Sequence, residues 1–185
     1  MRPNTERNES VSADLLSLIV CPRDKQALHT EGSVLICPLG HSYRVVQGVP
    51  ILLVAEAKQT HVEGSRSLQV AESGDLSGYS IPEATNGGID PFVSNWIGTT
   101  NGSLYLDLVG NLSEYPIPDL RLPRGNGGLF LDIGSNWGRW CIAAARLGYR
   151  VMGVDPSLRS ILAARRVSRH LGLPALYLEI GRAHV

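Results

Sequence analysis

Several features that would place this chain at a membrane, outside the cell or on a nucleic acid are missing. No apolar run reaches the roughly 20 residues needed to cross a bilayer. The polar segment from Met1 to Ser10 has no apolar core of a signal peptide. Basic and acidic residues balance at 17 each, so charge indicates no membrane or nucleic-acid surface, although it leaves nucleic acid open as a partner. Three cysteines are too few for a disulfide framework, and we expect a cytoplasmic protein.

The 185 residues are enough for one medium domain and a small module. Ser12 can cap a short helix over Ala13–Ile19, and short apolar runs separated by Gly and Pro then predict a β-rich module. A segment rich in Gly, Ser, Glu and Thr follows, with little periodicity, and we interpret it as a linker or lid. The predicted parts are a disordered segment 1–11, the β-rich module 12–56, the linker 57–90, an α/β domain 91–179 and a non-native tail 180–185.

The segment from Leu129 onward alternates between strand and helix patterns. Scattered apolar residues between Asp90 and Leu112 first predict one or two covering helices. The later pattern predicts a buried strand 129–133, a helix 140–147, a strand 150–155, a helix 158–170 and a strand 175–178. This alternation is typical of a parallel sheet with right-handed crossovers.

The turn after the first of these strands predicts a ligand site. Gly134 and Gly138 flank Ser135 and Asn136, and an asparagine tolerates a left-handed backbone better than most residues. The resulting G-x-N-x-G pattern lacks the last glycine of the dinucleotide fingerprint, which favours a ligand without a pyrophosphate.

Two carboxylates accompany this turn. Asp132 lies near the end of the first strand and can attract the ammonium of a methionine moiety. Asp155 ends the second strand and can accept hydrogen bonds from ribose hydroxyls. A plainer interpretation makes Asp132 a strand-end carboxylate and Asp155 a capping residue before Pro156.

The segment Pro116–Gly172 resembles class I S-adenosylmethionine-dependent methyltransferases of the type 11 kind, within which the loop Gly134–Trp140 is similar to a G-x-N-W-G-R-W subgroup. The resemblance implies a Rossmann-like domain, S-adenosylmethionine as cofactor and an unidentified methyl acceptor. It also implies that Asp132 and the loop glycines line the methionine end and that Asp155 holds the ribose. It assigns no catalytic residue.

The N-terminal module carries two candidate metal knuckles. Cys21 and Asp24 form the first, and Cys37 and His41 form the second, and thiolate, imidazole and carboxylate are all zinc ligands. The segment Leu15–Leu53 resembles the zinc-ribbon module of methyltransferase activator subunits, which usually has cysteine where Asp24 stands. The alternative is a ribbon that has lost its metal and holds together by apolar packing.

The last six residues, 180–185, resemble a translated sequencing adapter. We therefore expect the Rossmann-like sheet to be incomplete, its edge exposed and this fragment of the methyltransferase inactive. Two other functions stay open: a nicotinamide-dependent oxidoreductase, and a non-catalytic zinc-ribbon interaction module with a cofactor-binding α/β part.

Overall fold

The computed structural model describes residues 10–57, 59, 61–79, 88–99 and 106–179. The tail predicted at 180–185, and most of the segment predicted to be disordered, lie outside the described residues. The chain divides into two units. Unit 1 comprises Met1–Gly74, Asp155–Leu158 and Leu178–Val185, and unit 2 comprises Asp75–Val154 and Arg159–Tyr177.

Unit 1 is built on a small antiparallel sheet, as the sequence predicts. Its elements are helix α1 (Ala13–Leu16), strands β1 (His29–Glu31), β2 (Val34–Ile36), β3 (Ser42–Val46) and β4 (Val49–Pro50), and helix α2 (Val62–Ser73). The strands pair in the order β1-β2-β3-β4. The Ser12 side chain caps α1, as predicted, by accepting a hydrogen bond from the Leu15 backbone N–H.

The hairpin between β3 and β4 explains the register of this sheet. Val46 pairs with Val49, which leaves a loop of only Gln47 and Gly48. Both loop residues have positive φ angles, 47° and 75°. Two positive angles in a two-residue loop match the right-handed twist of the strands and set which side chains face inward. Leu35 and Val49 are accordingly fully buried.

Helix α2 lies within the segment that the sequence predicts to be a linker. The His61 side chain caps it by accepting from the Glu63 N–H, and Gly74 ends it with φ 73°. Its buried residues are Gly64, Ser67 and Val70. A helix that packs through glycine and serine has no wide apolar stripe, which is why its periodicity is hard to recognise.

The second sheet has the strand order β5-β6-β7. Its elements and those before it are α3 (Pro91–Thr99), a 3₁₀ turn (Leu106–Leu108), β5 (Leu129–Ile133), α4 (Arg139–Arg146), β6 (Arg150–Asp155), α5 (Leu158–His170) and β7 (Leu176–Glu179). Strands β5 and β6 are parallel, with Leu129 opposite Arg150. The strand–helix alternation and the parallel sheet are therefore confirmed, with bounds within two residues of the prediction.

Strand β5 corrects one expectation, because it is not buried. Leu129, Leu131 and Ile133 are 48%, 48% and 78% exposed. Side chains alternate along a strand, so these three share one side. Helix α4 covers the other side, where Cys141 contacts Asp132. Within the described residues β5 is also an edge strand, and its apolar side is open to solvent.

The core of unit 2 forms where α3, α4 and α5 meet. The cluster consists of Val93, Trp137, Ile142, Ala163 and Val167. Because Trp137 immediately precedes Gly138 and helix α4, its burial anchors the Gly134–Gly138 turn to these helices. The turn is therefore held by packing as well as by backbone hydrogen bonds.

Candidate metal centre and candidate cofactor loop

Two tight turns present the four predicted metal ligands. In the first, the Lys25 N–H donates to the Cys21 carbonyl at 2.9 Å, and Lys25 has φ 61°. In the second, the Gly40 N–H donates to the Cys37 carbonyl at 2.9 Å, and Gly40 has φ 83°. Each turn reverses the chain just after a cysteine, which directs that thiol inward beside the next ligand.

The four ligand atoms converge. One atom each from Cys21, Asp24, Cys37 and His41 lies within 4.8 Å of every other. His41 Nδ1 is 3.6 Å from Cys21 Sγ, 3.4 Å from Cys37 Sγ and 2.9 Å from Asp24 Oδ2. The Cys37 thiol donates to Asp24 Oδ2 at 3.0 Å. Sequence spacing thus predicted the set of residues that the fold brings together.

These distances can be compared with the edges of a zinc tetrahedron. With Zn–S about 2.3 Å and Zn–N about 2.0 Å, a tetrahedral nitrogen and sulfur lie about 3.5 Å apart. The two distances from His41 to the cysteines match that edge. The distances to Asp24 Oδ2 are about half an ångström shorter than such an edge. The donor set and its size fit a four-coordinate metal ion after a small outward shift of Asp24.

The surroundings of Asp24 favour its charged form. The hydrogen bond from Cys37 and then the backbone N–H of Gln26 hold the pKa of the Asp24 carboxyl below its ordinary value. The Gln26 N–H donates to Oδ1 at 2.9 Å, so Oδ2 is the oxygen that faces the cluster. Burial raises the pKa of the Cys37 thiol. A cation at the centre would displace that proton, as zinc does on binding cysteine.

The sequence marks Tyr43 as one of the residues that match the zinc-ribbon module, but it assigns Tyr43 no role at the metal. The Tyr43 hydroxyl lies 3.1 Å from Cys21 Sγ, and the side chain is buried. Burial and the contact with Cys21 raise the pKa of the phenol, which keeps it a hydrogen-bond donor. Strand β3, which carries Tyr43, starts just after His41, but no spacing rule connects a strand tyrosine with a cysteine twenty-two residues earlier.

The predicted cofactor loop has three left-handed residues between β5 and α4. Gly134, Asn136 and Gly138 have φ angles of 82°, 50° and 84°. The backbone N–H groups of Gly134 and Ser135 both donate to the Val154 carbonyl of the neighbouring strand. The loop is thereby fixed to the end of the parallel pair, where ligands of such sheets bind.

The glycine at position 138 is required for a packing reason as well. A Cβ atom there would lie 2.5 Å from the Tyr177 hydroxyl and 3.2 Å from Ala164 Cβ. At Gly134 a Cβ would meet nothing within 4 Å. Gly134 thus leaves open space beside the backbone, and Gly138 lets α4 begin close to its neighbours.

The two predicted carboxylates have protein partners. Asp132 Oδ2 accepts from the Cys141 thiol at 3.4 Å, and burial raises the pKa of this carboxyl. Asp155 is 8% exposed and accepts from the Ser157 N–H at 2.9 Å. That bond is the capping role that the plainer interpretation gave Asp155. The two tryptophans of the loop differ: Trp137 is 3% exposed and Trp140 is 39% exposed.

No helix in the described ranges has both the length and the apolar character to span a bilayer. The antiparallel hairpins that converge on a Cys/Asp/His group make unit 1 a zinc-ribbon-like module, as the sequence predicts.

Comparison with known proteins gives the family. A UPF0434 protein of Vesicomyosocius okutanii subsp. Calyptogena okutanii (strain HA) is 48% identical over 46 residues, which are 24% of this chain and 78% of the relative. Through this N-terminal segment the chain belongs to the UPF0434 family. No protein-family model matches the chain.

A solved structure from work on the conversion of a disulfide bond into a thioacetal group during echinomycin biosynthesis is 36% identical over the matched part. The match covers 30% of this chain and 23% of that chain, with a TM-score of 0.28. A TM-score this low does not establish a common fold.

Proposed function

We propose that the protein takes part in S-adenosylmethionine-dependent methyl transfer to an acceptor still to be identified, and that its N-terminal module binds one structural zinc ion. The observation that carries the first part is the loop from Gly134 to Gly138. It follows a parallel strand, has three left-handed residues and leads directly into helix α4.

The same loop argues against a nicotinamide dinucleotide. The dinucleotide fingerprint needs a third glycine where helix and strand pack closely and the pyrophosphate meets the helix N-terminus. The loop has asparagine at position 136 and no third glycine in that register. The open space beside Gly134 suits close approach of a ligand to the backbone.

The roles of the two carboxylates follow from charge and position. S-adenosylmethionine would supply an electrophilic methyl group on a sulfonium. Asp132, half-buried at the end of β5, would attract the ammonium of its methionine end. Asp155, the last residue of β6, would accept hydrogen bonds from the ribose hydroxyls. In enzymes of this class the rate depends largely on positioning the acceptor in line with the methyl group.

Zinc would have a structural role in this protein. All four positions of a tetrahedron would be filled by protein atoms, which leaves no open position for water or substrate. The antiparallel sheet of unit 1 has only short strands, and a bound metal stabilises small modules of this kind. Elemental analysis of the purified 185-residue chain is expected to give about one zinc per chain. A folded sample with far less metal would favour the alternative of a ribbon that has lost its metal.

Calorimetry with the whole chain tests the cofactor. We expect binding of S-adenosylhomocysteine and no binding of NAD. Asp155→Ala should weaken S-adenosylhomocysteine binding by about 1–3 kcal/mol, because hydrogen bonds to a charged acceptor are lost. Binding of NAD without S-adenosylhomocysteine would point to the oxidoreductase, and binding of neither would point to the interaction module.

A further inference from the structure

Unit 2 contains a cleft of about 480 Å³ beside the candidate loop. Its apolar lining includes Ile97, Leu108, Leu112 and the three tryptophans Trp96, Trp137 and Trp140. Trp96 and Trp140 remain 44% and 39% exposed. The volume falls in the range of pockets that hold small molecules, about 300–1,000 Å³. Large aromatic side chains left this exposed around a cleft are typical of a site that a ligand covers.

The cleft carries a positive charge. Arg139 is exposed and is the charged residue of the lining, and no acidic side chain belongs to the lining among the described residues. The Arg139 guanidinium lies 5.3 Å from the ring centroid of Trp140, a contact that holds the cation in place. Within the described part of the chain no carboxylate forms an ion pair with it. The site therefore offers a positioned positive charge at the edge of an apolar surface.

Ser135 is a second polar residue of the lining. The Ser135 side chain is 2% exposed, and its hydroxyl makes no hydrogen bond within the described residues. A buried hydroxyl without a partner destabilises the protein, and a hydrogen bond to a ligand atom would offset that cost. The N-cap of α4, Gly138, has no capping side chain, so the adjacent helix end adds a partial positive charge.

We propose that this cleft binds a small molecule that combines an apolar, ring-sized body with a carboxylate, and that this molecule is the methyl acceptor. The body would lie against Trp96 and Trp140, and the carboxylate would pair with Arg139. Ser135 would donate to a further oxygen of the ligand. The identity of the ligand as acceptor depends on the proposed methyl transfer, whereas its chemistry depends on the cleft alone.

The tryptophans make the test selective. All three tryptophans of the chain, Trp96, Trp137 and Trp140, line this cleft, so tryptophan emission reports on it. The whole chain is titrated with 4-tert-butylbenzoate and with its neutral match, 4-tert-butylbenzamide. We expect both to change the emission, with the benzoate about tenfold tighter, because a charge-assisted hydrogen bond is gained.

Two substitutions then test whether Arg139 is the positive charge that recognises the carboxylate. Arg139→Gln should remove the preference for the benzoate and leave the affinity for the amide unchanged. The matched control is Arg146→Gln, which removes an exposed arginine from the same helix outside the cleft and should keep the preference. Unchanged preference in Arg139→Gln, or benzoate and amide affinities that are equal in the wild type, would overturn the proposal. A thermal unfolding curve like that of the wild type confirms that each variant is folded.

A final titration separates this proposal from the proposed function. With S-adenosylhomocysteine present, we expect the benzoate still to bind. Competition between the two would assign the cleft to the methionine end of the cofactor and overturn the acceptor assignment. Benzoate binding in a protein that binds no S-adenosylhomocysteine would keep the carboxylate site and reject methyl transfer.

Discussion

At the scale of single residues, the Tyr43 hydroxyl is the contact through which the fold affects the candidate metal centre. It lies 3.1 Å from Cys21 Sγ, and burial keeps the phenol protonated by raising its pKa. A thiolate that binds zinc is stabilised by such a donor. Removing a group that hydrogen-bonds to a metal ligand typically lowers the metal affinity about 10–100-fold.

Tyr43→Phe is therefore expected to weaken zinc binding about tenfold, since it removes one hydrogen bond to a charged acceptor. Competition with a chromophoric chelator measures the affinity. The matched control is Tyr149→Phe, which removes an exposed hydroxyl that donates to the Pro123 carbonyl. If both variants bind zinc as tightly as the wild type, Tyr43 has no influence on the centre.

Asp24 is the unusual ligand of the set. Two substitutions at this position are expected to change the zinc affinity in opposite directions. Asp24→Cys supplies a third thiolate, a softer ligand that zinc binds more tightly, and should raise the affinity about tenfold or more. Asp24→Ala removes one of four ligands, and should lower the affinity at least about a hundredfold, since structural zinc sites typically bind with about 10–16 kcal/mol shared among their ligands. The same chelator competition checks both. Equal affinities in the three proteins would exclude Asp24 from the metal shell.

Ligand type and spacing were enough to predict the four residues of this centre, because each pair lies on one short turn. They were not enough to predict Tyr43, whose approach depends on the pairing of strand β3. Sequence also could not show that Asp155 accepts from Ser157, since that bond depends on the turn after β6.

At the scale of elements, the contact between Asp90 and Arg166 joins α3 to α5. Arg166 Nε donates to Asp90 Oδ2 at 2.7 Å, and the two side chains are 15% and 5% exposed. Asp90 Oδ1 also accepts from the Phe92 N–H in the first turn of α3. One carboxylate thus caps one helix and pairs with another, which positions α3 beside the cleft that Trp96 lines.

Arg166→Met should lower the free energy of unfolding by about 3 kcal/mol, because it leaves a buried carboxylate without its cation. Urea unfolding followed by tryptophan emission measures this, since every tryptophan belongs to the same unit. Arg146→Met, which alters an exposed arginine, should change stability by less than about 0.5 kcal/mol. If Arg166→Met lowers the free energy of unfolding no more than Arg146→Met does, the ion pair makes no net contribution to stability.

The elements differ in how well sequence predicts them. Strand β6 and helix α5 have regular apolar patterns and clear caps, and their bounds were predicted closely. Helix α2 was missed because glycine and serine, and not an apolar stripe, form its buried side. For β5, the prediction of a strand was confirmed, but the prediction that this strand is buried was wrong. Its apolar composition is that of a covered strand, whereas covering depends on what lies beside it.

At the scale of the whole molecule, the exposed side of β5 is the feature with the largest consequence. Leu129, Leu131 and Ile133 form a continuous apolar row on an edge strand of the described sheet. Edge strands with apolar side chains pair or aggregate unless a charge, proline or covering element protects them. The three side chains of the row carry no charge; the exposed Arg150 of the neighbouring strand lies opposite Leu129, at the start of the row, and leaves Leu131 and Ile133 opposite Met152 and Val154.

We therefore expect the purified chain to self-associate as its concentration rises, and Ile133→Thr to reduce that association. Ile133 is the most exposed member of the row, at 78%. Threonine keeps the branched Cβ that suits a strand, so the free energy of unfolding should change by less than about 0.5 kcal/mol. Light scattering across a concentration series measures association, and urea unfolding measures stability. Leu131→Thr, at 48% exposure on the same side, should also reduce association.

A chain that stays monomeric without any substitution would show that the row does not drive association. Association that is unchanged in both variants would place the contact on another surface, while a large loss of stability in Ile133→Thr would mean that this side chain is covered in solution.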